Sequence, residues 1–144
     1  MDALTQLLII DNQYTEIERV NYQCNVFCRT HGIPDRTRRT LNMVLDEALN
    51  NIITYAFDKA EKHLISVLIT YNAPEVMIEL VDDGIPFNLL EAKEPDVRAS
   101  VEEREIGGLG ILLIRKTMDS VRYERKNNRN HTTLIKYIDF STKR

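Results

Sequence analysis

Apolar positions along this chain follow two periods, and an element boundary is expected wherever one gives way to the other. The opening run ALTQLLIID is apolar and ends on Ile-Ile-Asp, which predicts a first strand. In YTEIERVNYQCNVFCRTHG, residues Ile17, Val20, Cys24, Phe27 and Cys28 fall at helical spacing, and Gly32 stands in a C-cap position. Pro34 then opens a second helix, where its missing N–H costs nothing. That helix, about Asp35 to Phe57, carries an apolar stripe at Leu41, Val44, Leu45, Ala48, Leu49 and Ile52 with no break in the i, i+3, i+4, i+7 rule.

Two strand-like runs come next, HLISVLITYN and EVMIELVDDG, joined by NAP. In the first, Leu64, Ser66, Leu68 and Thr70 alternate with Ile65, Val67 and Ile69, so each set lines one face of a sheet. The short joint makes the two runs antiparallel neighbours. From Ile85 to Glu105 the pattern breaks into IPFNLLEAKEPDVRASVEERE, with two prolines, many charges and no sustained period. A loop of that length inside one domain points to a lid or a binding segment. Ile111, Leu112, Ile114, Arg115 and Met118 suggest a third helix, and SVRYERK and HTTLIKYIDF a closing hairpin turned by NNRN. The order is β-α-α-β-β-loop-α-β-β. Hairpin-paired strands with helices between them predict a two-layer α/β sandwich: a mixed, mainly antiparallel sheet with its helices on one face.

Composition narrows the classes. The 144 residues suit a single domain over 1–144, and 43% hydrophobic content is too high for a disordered chain. A net charge of −3 argues against direct nucleic-acid binding, since the basic cluster RKNNR is offset by EEREI and EAKEPD. MDALTQLLIIDNQ carries no basic leader, and no run approaches the ~18 apolar residues of a membrane span, so a cytoplasmic protein is expected. Cys24 and Cys28 have neither redox nor zinc-ligand spacing and read as free, half-buried thiols. His31, His63 and His131 lie in unrelated segments and read as surface or satisfied histidines.

Four short stretches carry candidate chemistry, each beside an ordinary structural explanation. In DEALNN, Glu47 and Asn51 are one turn apart on the flank of the apolar stripe. A carboxylate and an amide there could hold a divalent cation and a water, but taken alone a solvated helix shoulder is the simpler explanation. In LVDDGIPFN, the Asp82-Asp83-Gly84 run is either a plain turn or a carboxylate set at a strand end to accept from a ligand amine. Three of the chain's five glycines crowd into IGGLGILLIRKTMD just before the third helix, either for backbone geometry or to offer N–H groups to a phosphate. Thr132 and Thr133 begin the last strand, where a hydroxyl also simply favours β structure.

Taken in order, Glu-x-x-x-Asn on a helix, Asp-x-Gly after a strand, a long polar loop, Gly-x-Gly opening a helix and Thr on a strand resemble the GHKL (Bergerat) ATP-binding superfamily. LDEALNNIITYAF, VDDGIPFN and IGGLGILLIRKTMDSVRYER are more closely similar to the anti-sigma factor serine kinases of the RsbW and SpoIIAB type, over essentially the whole chain. The resemblance implies ATP and Mg²⁺ as cofactors. It implies that Asn51 coordinates Mg²⁺ and that Glu47 is the general base toward an acceptor hydroxyl. It places Asp82 at the adenine amine with Gly84 beside the ring, and Gly108, Leu109 and Gly110 at the lid hinge and phosphates. Thr133 would support the adenine through the Asp82 network. Arg98 and Arg104 are the candidates for a γ-phosphate contact.

The chain also departs from the pattern. Tyr55 stands where many relatives carry His, Asn50 replaces a small residue, Pro86 replaces a second glycine, and Thr54 stands where histidine kinases often place Lys or Arg. The function implied is phosphorylation of a Ser or Thr on a small anti-sigma factor antagonist (STAS-like) protein, with a sigma factor held when the antagonist is absent. An ATP-gated partner-switching protein with little turnover is the second expectation, and an isolated histidine-kinase catalytic domain the third. The added first strand and helix suit a self-contained protein, with a homodimer through them as one arrangement.

Overall fold

A two-residue period becomes a sheet where one side of each strand is covered and the other is not. The structure, a computed structural model, describes residues 3–58, 61–91 and 108–140. In chain order it has β1 (Leu4–Asp11), α1 (Thr15–Thr30), α2 (Asp35–Tyr55), β2 (Leu64–Asn72), β3 (Glu75–Asp82), a 3-10 turn at Leu89–Glu91, α3 (Gly108–Thr117), β4 (Ser120–Lys126) and β5 (Arg129–Tyr137). Leu8 and Ile10 of β1, Ile65, Val67 and Ile69 of β2, Val76, Ile78 and Leu80 of β3 and Leu134 of β5 all face the helices and are buried. Leu7 and Ile9 point the other way and stay half exposed. Each such buried aliphatic side chain contributes about 1.5–3 kcal/mol relative to exposure.

The sheet order is β1-β2-β3-β5-β4, and every neighbouring pair is antiparallel. The expected mixed sheet therefore contains no parallel pair among the described residues, and the connections explain why. Two helices between β1 and β2 carry the chain away and back, so β2 starts at the end where β1 stopped. The single helix between β3 and β4 sets those two strands in the same direction, but β5 lies between them. The hairpin joining β4 to β5 turns on Asn127 and Asn128, both at positive φ, which asparagine tolerates better than most residues.

The helices form the second layer. α1 buries Ile17, Val20, Cys24, Phe27 and Cys28, the residues its spacing picked out. Gly32, at φ +74°, turns the chain in the left-handed region, and the Ile33 N–H closes onto the Cys28 carbonyl at 2.9 Å. The cysteines are free and fully buried, deeper than the half-buried position expected of them. A hydrogen bond to Cys28, together with burial, pushes the Cys24 thiol far above its ordinary range. α2 buries its whole predicted stripe and adds Asn51 and Thr37 to the covered set. His31 packs edge-on against Phe27, and His63 stacks on Phe57 while bonding Asp83 at 2.9 Å. Of the long loop expected over 85–105, the described part runs to Glu91.

Candidate functional site

The flank of α2 beside its apolar stripe sets the first two groups. The Asn51 side chain is buried, and its Nδ2 donates to the Glu47 carbonyl at 2.7 Å. A carbonyl can only accept, so the amide nitrogen must face it and Oδ1 must turn outward. Among the described residues nothing donates to that oxygen. The Glu47 carboxylate lies against the first turn of α3: a Cβ at Gly110 would fall 1.9 Å from Oε2 and 2.7 Å from Cδ. Glycine at 110 is therefore what lets α3 start beside this acid, and a carboxylate is favourably placed near a helix N-terminus.

Gly108 begins α3, so two of the glycines expected ahead of the helix lie inside its first turn. Gly110 is not among the positive-φ residues, which leaves close approach as the reason for glycine there. Leu109 lies between them in the same turn. Arg98 and Arg104 fall outside the described residues.

The third group sits where β3 ends. Asp82 is 3% exposed and accepts from the Gly84 N–H and from Asn130 Nδ2, both at 2.9 Å and both on Oδ1. Oδ2 accepts no hydrogen bond among the described residues. Burial raises the carboxyl above its ordinary value, opposed by the two donors on Oδ1, reinforced by the Asp83 charge and opposed again by Arg125. A desolvated carboxylate with one unspent oxygen is an acceptor waiting for a donor.

Gly84 joins this strand end to α2. A Cβ there would come 2.3 Å from the Ala56 carbonyl oxygen and 2.9 Å from the Ala56 Cβ, and the Ile85 N–H donates to that same carbonyl at 2.9 Å. Gly84→Ala must move backbone rather than a flexible side chain. It is expected to lower unfolding free energy by about 1–3 kcal/mol, read as a shifted midpoint in urea denaturation.

Asn130 is the group the sequence reading did not find. It is 1% exposed. Its Nδ2 donates to Asp82 Oδ1 and, at 2.8 Å, to the Ile85 carbonyl. Its Oδ1 accepts from the Phe87 N–H at 3.1 Å, the Tyr123 hydroxyl and, at 3.2 Å, Arg125 Nη1. Arg125 also donates to the Gly84 carbonyl at 2.8 Å, so two strands hold the turn after β3 in one position.

Register explains why Asn130 rather than Thr133 joins Asp82. Asp82 pairs with Asn130 and Leu80 with Thr132, which puts both β5 residues on the helix-covered face. Thr133 pairs with Glu79 and Arg122 and belongs to the opposite face. The expected Thr133–Asp82 network is corrected accordingly: a one-residue step along a strand reverses the face.

These groups form two sets of contacts joined by the backbone of α2. Gly110 touches Glu47, the Glu47 carbonyl holds Asn51, Ala56 at the helix end touches Gly84, and Gly84 bonds Asp82. From Glu47 to Ala56 the helix rises roughly 14 Å. Tyr55, the residue before Ala56, packs against Phe87 with ring centroids 5.7 Å apart. The donor set fits a magnesium–nucleotide: Mg²⁺ binds through one or two protein oxygens with phosphates completing its shell, and an amide oxygen such as Asn51 Oδ1 is of the kind it takes. The described residues hold no cluster of three or more His, Cys, Asp or Glu that would hold a metal by itself.

Residues 10–136 match the sequence profile of the histidine kinase-like ATPase domain. The chain belongs to that family. It is 32% identical over 102 residues to serine/threonine-protein kinase BtrW of Bordetella bronchiseptica, covering 71% of this chain and 72% of that protein. It is 31% identical over 125 residues to serine-protein kinase RsbW of Listeria monocytogenes, covering 84% and 78%, and 30% identical to RsbW of Listeria innocua over the same shares. A histidine kinase-like ATPase domain with protein kinases as relatives is an ATP-using fold, and the antiparallel sheet with its helical layer is consistent with it. No helix among the described residues is long and apolar enough to cross a membrane.

Proposed function

We propose that this protein is a cytoplasmic ATP-dependent serine/threonine protein kinase that phosphorylates a small anti-sigma factor antagonist and binds a sigma factor when the antagonist is absent. The observation that carries this reading is the Glu47 carboxylate packed on Gly110 one helical turn from the outward Asn51 Oδ1. That arrangement supplies a base beside a metal-binding oxygen and a helix N-terminus. The spare Oδ2 of Asp82 accepts from the adenine amine, held in place by Asn130 and Gly84. Gly108, Leu109 and the Gly110 backbone lie toward the phosphates. Mg²⁺ at Asn51 would neutralise phosphate charge as the bond order shifts.

In the transfer, the acceptor hydroxyl oxygen bonds to the γ-phosphorus while its proton passes to a Glu47 oxygen. The bond from the γ-phosphorus to the β,γ-bridging oxygen breaks, and ADP departs with that electron pair. Positioning and charge neutralisation carry most of such a reaction, so no covalent nucleophile is required. Incubation of the purified protein with γ-labelled ATP, Mg²⁺ and small STAS-like antagonist proteins as acceptors is expected to give labelled phosphoserine or phosphothreonine. Tight ATP binding with no label transferred would overturn the kinase and leave an ATP-gated partner switch.

A further inference from the structure

A second polar cavity lies at the opposite end of α2, with no residue in common with the site above. It measures about 350 Å³ and opens between the start of α2, the end of α3 and the end of β5. That volume is near the lower bound of about 300 Å³ for small-ligand sites. From Arg36 on its wall to Asn51 is roughly 22 Å along the helix axis.

The wall is built to receive an anion. Pro34 is the N-cap of α2 and has no side-chain oxygen to give the first turn. The first helical N–H to find a carbonyl is that of Arg38, on Pro34 at 2.9 Å. The N–H groups of Arg36 and Thr37, which line the cavity, have no acceptor among the described residues, and they sit at the positive end of a 21-residue helix. Independently, Thr37 is more than nine-tenths buried, and its hydroxyl makes no hydrogen bond among the described residues. That oxygen is not among the fully enclosed unpartnered atoms, so it keeps some surface, and Thr37 is one of the residues that line this cavity.

Charge agrees in sign. Arg36 and Lys116 line the cavity with Lys136. The negative end of α3 also reaches it, but Lys136 Nζ caps that end by donating to the Thr117 carbonyl at 2.8 Å. The acid of the first turn, Asp35, is turned onto Arg38 at 3.1 Å. Asp139 is the one acid on the wall among the described residues. Two cationic residues, two backbone donors and a buried hydroxyl belong to the lining of this space, a donor set that suits an oxyanion such as phosphate rather than a cation or an apolar group.

We infer that this cavity is a phosphate-binding site separate from the nucleotide site, recognising inorganic phosphate or a phosphate monoester. It does not depend on the kinase reading. The test is calorimetric titration of inorganic phosphate into the full chain at constant ionic strength, with and without saturating Mg·ADP. Binding is expected to persist with ADP present, to weaken at least tenfold in Arg36→Glu and in Lys116→Glu, and to weaken about three- to tenfold in Thr37→Val, which keeps the shape and removes the hydroxyl. All three variants should bind ADP as the parent does. A capped phosphoserine peptide run in parallel identifies the source: tighter than free phosphate means a protein-borne group, equal or weaker means a small phosphate. No phosphate heat in the parent, heat abolished by ADP, or affinity unchanged in both charge reversals would overturn the site.

Discussion

Asp82→Asn is expected to raise the melting temperature of the nucleotide-free protein while weakening ATP binding roughly 100-fold. Both effects come from the same two hydrogen bonds. Gly84 N–H and Asn130 Nδ2 are donors, and both land on Oδ1. An asparagine at 82 must therefore keep its oxygen there and turn its own Nδ2 to the position Oδ2 now holds. The internal bonds survive and a desolvated charge disappears, so the empty protein gains. Toward adenine, an acceptor has become a donor that meets another donor, and the ligand amine is left without a partner.

The pH profile separates this account from a mere loss of contact. Burial holds the Asp82 carboxyl above its unfolded value. Between the two values the native state binds more protons than the unfolded one, so this group lowers stability as pH rises through that interval. Asparagine has nothing to titrate there. The variant's stability should fall less over the same interval, and its advantage over the parent should be full above it. An Asp82→Asn protein that still binds ATP with parental affinity would detach the adenine from this carboxylate.

The elements were legible where a period was long and unbroken. The α2 stripe from Leu41 to Ile52 could be nothing but the buried face of a helix, and Ile65, Val67 and Ile69 faced inward as their alternation required. What escaped depended on residues far apart in sequence. Asn130 looked like part of a turn, yet counting back in twos from buried Leu134 puts it, with Thr132, on the face of Asp82. That parity was a usable signal, whereas its bonds to Ile85, Phe87 and Arg125 were not. The resemblance places Gly84 beside a purine ring, but its lack of a Cβ is already required by the Ala56 carbonyl, 28 residues earlier in the chain. The sheet's uniform direction followed from where β5 inserts, which no local pattern encodes.

Glu47→Gln is expected to cut phosphate transfer by about 10²–10⁴-fold with ATP affinity kept, because the amide preserves shape and cannot accept the proton. Single-turnover transfer and equilibrium ATP binding, measured on one preparation, read the two quantities apart. Gly110 then decides what the carboxylate's position is worth. A methyl at 110 would occupy the space of Oε2, the far end of a flexible side chain, so Glu47 can swing aside and the fold survives. If glycine at 110 serves the base, Gly110→Ala slows transfer in the parent background and adds almost nothing once Glu47 is Gln, a coupling a double-mutant cycle measures directly. If it serves the phosphates instead, the alanine weakens ATP binding equally in both backgrounds, and the base loses its claim on α3.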